Sequence, residues 1–116
     1  MNDLDDILKG ARELGKKIAE HGRSKQFQAA AKAVEADKEA QSLMRSYREA
    51  VNKIATLESQ GKPIEPGDKR TAAEAQQKLA GNAPIKEMMK QQANYMEMMH
   101  SVMGAIEEAA AGEEKA

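Results

Sequence analysis

Apolar residues recur every three to four positions through almost all of this chain, a period that belongs to α-helices and not to strands, whose period is two. The clearest run is 37–60, with Ala40, Leu43, Met44, Tyr47, Val51, Ile54 and Leu57 on one stripe. Lys38, Glu39, Arg45, Arg48, Glu49, Lys53 and Glu58 occupy the remaining faces, so one side is built for burial. Asp37 has the chemistry of an N-cap, and Gly61 followed by Pro63 that of a stop. At about 1.5 Å per residue such a rod spans roughly 35 Å.

The same periodicity predicts four further helices. Residues 3–21 carry Leu4, Ile7, Leu8, Ala11, Leu14 and Ile18, with Asp3, Asp5 and Asp6 at the positive end of the helix dipole and Gly22 as terminator. Ser24 opens a short helix through Phe27 and Val34 to about Ala36. Pro66 suits a first helical position, and Ala72, Ala75 and Leu79 follow before Gly81 as a stop. Asn82 caps the last helix, 84–108, whose stripe runs Ile85, Met88, Met89, Gln92, Met96, Met99, Met103 and Ile106. The expectation is an all-α helical bundle with two long antiparallel helices, 37–60 and 84–108, and shorter flanking ones. A single domain of 1–110 precedes a flexible acidic tail, 111–116.

Composition shifts this picture toward assembly. Phe27, Tyr47 and Tyr95 are the only aromatics, while Met88, Met89, Met96, Met98, Met99 and Met103 are six of the eight methionines. A chain of 116 residues buries about 65% of its unfolded surface, and one short of aromatics gains by burying its stripes against another copy. The methionine helix is either a core short of leucine or an adaptable docking groove. The surface expected to meet a partner joins Leu8, Ala11 and Ile18 of the first helix to Met96, Met99 and Met103 of the last.

Charge excludes more than it assigns. With 32% charged residues and a net charge of −1, nothing favours direct contact with nucleic acid or an anionic membrane. Lys9, Arg12, Lys16, Lys17, Arg23 and Lys25 form a locally basic face, either solvated or turned to an acidic partner. The start of the chain is acidic, without the apolar core of a secretory signal, and no stretch spans a bilayer. A cytoplasmic protein is expected.

Candidate chemistry is sparse. The absence of cysteine excludes disulfides, thiolate metal sites and cysteine-ligated clusters. Glu97 and His100 form a Glu-x-x-His, but a di-iron bundle needs two such pairs plus two further glutamates, and no second pair exists. Ser24, Ser42, Ser46 and Ser59 lack a nucleophile-elbow context, and no Gly-rich phosphate loop occurs. Phe27 reads as a core plug or, alternatively, a stacking platform. No catalytic residue, cofactor or metal site is expected.

The order of these features carries a resemblance. Ser24-x-x-Phe27, an alanine-rich run to Val34, Asp37-x-x-Ala40 and the long helix with Tyr47 come first. LESQGKPIEPGDKR at 57–70, AEAQQKLAGNAPIK at 73–86 and QANYMEMMHSVMGAI at 92–106 follow. Over about residues 4–107 the chain resembles the YlbF/YmcA family of small helical bacterial regulators, most specifically in its Gly-Lys-Pro-Ile turn and Pro-Gly-Asp helix start. The resemblance implies an all-α protein that forms a homodimer or a heterodimer with a paralogue. It further implies a non-enzymatic regulatory adaptor acting by protein–protein contact. In Bacillus-type bacteria, family members act with YaaT to promote competence, sporulation and biofilm formation, linked to RNase Y-dependent mRNA maturation. The iron–sulfur ligation carried by cysteines in that complex has no counterpart here. The alternative is a holdase-like helical cochaperone whose methionine face binds clients.

Overall fold

A computed structural model describes residues 3–112. Five helices follow in order: α1 Asp3–Glu20, α2 Gly22–Ala36, α3 Lys38–Ser59, α4 Pro66–Gly81 and α5 Ala83–Ala110. No strand occurs among the described residues, so the all-α expectation holds. Of the acidic tail, 111–116, only Ala111 and Gly112 are described. They turn at the end of α5, with Gly112 in the left-handed region at φ 72°.

Local chemistry sets the boundaries. Asp37 leaves the helical region at φ −96° and ψ 112°, and its Oδ1 accepts the Ala40 amide at 2.8 Å. That single capping residue separates α2 from α3. At the other end of α3, Gly61 turns left-handed at φ 67°. The Lys62 amide reaches back to the Leu57 carbonyl at 2.9 Å, and the Gly61 amide to the Glu58 carbonyl at 3.1 Å. These crossed bonds satisfy carbonyls the helix would leave orphaned. Asp68 Oδ2 accepts the Glu65 amide at 3.3 Å, so a carboxylate secures the start of α4. Asn82 Oδ1 caps α5 through the Ile85 amide at 3.1 Å.

Two expected stops are corrected. Gly22 does not end α1 as a left-handed residue; it is the first residue of α2. The break is His21, whose Nδ1 accepts the Arg23 amide at 3.1 Å and whose carbonyl accepts from Ser24 and Lys25. An imidazole thus caps where a glycine stop was expected. Gly81 is likewise helical, and Asn82, extended at φ −80° and ψ 124°, ends α4 instead.

The described residues fall into two compact units, 3–29 with 90–112, and 30–89. In the second, α3 packs along α4. The pair is antiparallel. Lys53 Nζ lies 2.8 Å from Asp68 Oδ1 at one end, and Glu39 and Leu43 share a depression with Gly81 and Asn82 at the other. Small residues line the approach: Ala50 and Ala75 are each 8% exposed. The core of this unit is Val34, Ala40 and Ile85, with Leu43, Met44, Leu79 and Met88 packed around it.

In the first unit, positions fall along α2 and α1 as they rise along α5. The Phe27 and Tyr95 rings lie 5.4 Å apart and tilted by 37°. Phe27 is therefore half of an aromatic contact and only half-buried, at the edge of a depression that it lines with Ile18 and Tyr95. The Arg23 guanidinium donates to the Asn94 carbonyl at 3.2 Å, one turn before Glu97. Ser24, only 3% exposed, donates its hydroxyl to the Ile18 carbonyl and so ties the end of α1 to the start of α2.

Candidate interaction clefts

Helix α1 has no buried residue, which for a helix of its apolar stripe is the first sign of an unfinished surface. Leu4 is 56% exposed, Ile7 67% and Leu8 43%. On α5 of the same unit, Met103 is 49% and Ile106 44% exposed, and both line one cleft with Ile7. Between α1 and the last turns of α5 lies an apolar cleft of about 340 Å³. Ala11, Ile18, Met99 and Met103 all line it, together with Leu14 and Val102. Four of the six residues expected to meet a partner thus converge on one cleft. Leu8 and Met96 do not line it; both are exposed, Met96 at 57%.

The floor is made of small residues. Gly10, Ala11 and Gly15 line α1's side of the cleft, and a Cβ added at either glycine would meet nothing within 4 Å. The two glycines cost helix stability and widen the cleft at the same time.

A second cleft belongs to the other unit. Met44, Tyr47 and Val51 of α3 and Ile85, Met88 and Met89 of α5 enclose about 360 Å³. Val51 is 40% and Met89 56% exposed. The sequence reading placed Val51 on a single buried stripe and missed this groove. Helix α3 in fact presents two apolar faces, one through Leu43 and Ala50 toward α4, the other through Met44 and Val51. The signal was present in the seven-residue interval from Met44 to Val51, but alanine at position 50 is silent in a stripe of large residues.

Glu97 and His100 are both exposed, and Glu97 stands 3.9 Å from Arg23. Among the described residues no group of three or more His, Asp or Glu side chains gathers to hold a metal. Asp68 stands apart in its partner, Lys53. Its hydrogen bond from Lys53 holds the carboxyl below its ordinary range, against an opposing push from burial. That pair joins α3 to α4, and neither residue lines a cleft described above. No helix of the described residues is long and apolar enough to cross a membrane.

Comparison with known proteins follows these surfaces. Residues 7–110 match the sequence profile of the family described as control of competence regulator ComK, YlbF/YmcA. No curated protein matches the chain. Among solved structures, the fold is similar to that of Bacillus subtilis RicA in complex with RicF, with a TM-score of 0.81 at 15% identity over 96% of this chain and 97% of that one. It is also similar to a DUF964 protein of unknown function from Bacillus stearothermophilus, with a TM-score of 0.63 at 20% identity over 89% and 94% of the two chains. At these identities the structural likeness establishes the fold alone.

Proposed function

Because the chain belongs to the YlbF/YmcA family of competence regulators, we propose that it is a non-enzymatic cytoplasmic adaptor that works by protein–protein contact, as a homodimer or paired with a paralogue. The observation that carries this reading is the open α1–α5 cleft, where Ala11, Ile18, Met99 and Met103 meet. An exposed cleft lined by apolar side chains is a common mark of a protein-interaction site. The similar RicA structure is of a complex with RicF, which supports a paired mode of action. Competence, sporulation, biofilm formation and mRNA maturation with RNase Y are the processes this adaptor would serve. It would present a composite helical surface to a third protein, without turnover and without a cofactor.

Affinity copurification from a bacterial lysate tests the reading. A few stoichiometric partners, another YlbF/YmcA chain among them, are expected, and Met103→Lys should release them. Met96→Lys, an equally exposed change outside the cleft, should not. A broad smear of unfolded clients, retained by both variants, would instead support the cochaperone reading that exposed methionines also suit.

A further inference from the structure

The α3–α5 groove of the second unit shares no lining residue with the α1–α5 cleft, and large side chains wall it. We propose that it seats the first two turns of α1 from a second copy of this chain. The inference rests on the reading that the protein acts as a pair and says which surfaces would meet.

Shape comes first. Groove recognition of a helix needs apolar anchors at i, i+3 or i+4 spacing. Ile7 and Leu8, with Ala11 at i+4 from Ile7, supply such a face on α1, and Ile7 is 67% exposed. The groove offers Tyr47 as a flat wall and Met44, Met88 and Met89 as deformable ones around about 360 Å³. Thioethers adapt to an inserted aliphatic side chain without a rotamer penalty of the kind a branched wall would impose.

Charge then selects this occupant. Asp3, Asp5 and Asp6 surround the apolar anchors in the first turn of α1. Arg48 and Asn52, both exposed, line the groove from α3, and Lys86 stands three residues before Met89 on α5. An acidic, apolar helix start thus meets an apolar groove with cationic and amide edges. The helix dipole accounts for carboxylates in a first turn. It does not account for Leu4 and Leu8, 56% and 43% exposed and outside the α1–α5 cleft, or for Ile7, which borders that cleft and is still 67% exposed. Arrangement matters as well. Knob and groove are on the same chain, so a two-fold pair makes the contact twice. Doubling helps reach the roughly 1,200 Å² that a specific interface buries.

The chain's lack of cysteine makes the test direct. Ile7→Cys and Met89→Cys chains, distinguished by a mass tag, are mixed and mildly oxidised while sedimentation is followed on the unoxidised mixture. A sedimenting dimer in which the mixed Ile7–Met89 disulfide exceeds both like-with-like products is the expected result. Arg48→Glu should reduce that product about tenfold or more, and adding Asp5→Lys and Asp6→Lys should restore it. A dimer that gives no excess of the mixed product, or no charge-swap rescue, overturns the docking of α1 and leaves the paired reading standing. A monomer at tens of micromolar overturns the docking and the homodimer together.

Discussion

Ser24 shows how much a single hydroxyl can organise. Among the described residues it is the one buried polar side chain, and its bond to the Ile18 carbonyl satisfies both a buried donor and a helix-end acceptor. Ser24→Ala should lower stability by about 1 kcal/mol in urea denaturation, the net worth of one such bond. Asp68 acts through charge. Its carboxyl is held below its ordinary value of about 3.9 by the Lys53 hydrogen bond. A depressed folded value means the stabilisation is complete above the ordinary, unfolded value and is lost as the pH falls from there through the folded value. Asp68→Asn should therefore melt lower than the parent at pH 7, with the difference closing below about pH 4. The gap will be small, because Lys53 remains 66% exposed and water screens the pair.

At the scale of elements, burial is uneven along helices whose sequence stripes look alike. Ile85 is 2% exposed at the start of α5, whereas Met96 and Met103 further along are 57% and 49% exposed. Ile85→Ala should cost about 2–5 kcal/mol, as truncation of a fully enclosed side chain does. Glu49→Ala on the wet side of α3 should stay within about 0.5 kcal/mol. Equal denaturation midpoints for the two variants would mean that the α3–α5 core is not where it is described. Between the extremes lie Leu43 and Ile54, half-buried residues of the α3 stripe, whose truncation should fall between these limits.

For the whole molecule, open clefts and a thin core point the same way. A protein stabilised by association melts at a temperature that rises with its concentration, because mass action favours the folded pair. The melting midpoint should climb between micromolar and hundred-micromolar protein. Met103→Lys should flatten that dependence by placing an ammonium in the α1–α5 cleft. A midpoint independent of concentration in the parent would remove the support for pairing.

Periodicity and caps were legible without the fold because they are local. A 3.6-residue stripe, the Asp37 and Asn82 caps, the Gly61 turn and Pro66 at the start of α4 each depend on residues within one or two turns of each other. The sequence by itself therefore determined five helices, most of their ends, and the regulator family that their order resembles. Two ends escaped it. His21 could cap α2 only because its ring folds back on the Arg23 amide, and Gly81 stayed helical because Asn82 could end α4 and cap α5 at once. Which stripe residues are covered was decided by tertiary packing alone. Ala50 is buried and Val51 is not, although the larger side chain carries the stronger apolar signal. The reason is distance: α4 approaches α3 on the side where small residues permit it, and no local pattern specifies which neighbour a helix face will meet. Likewise, Ala11 and Ile18 stand far in sequence from Met99 and Met103, and only the antiparallel passage of α5 past α1 gathers them into one cleft.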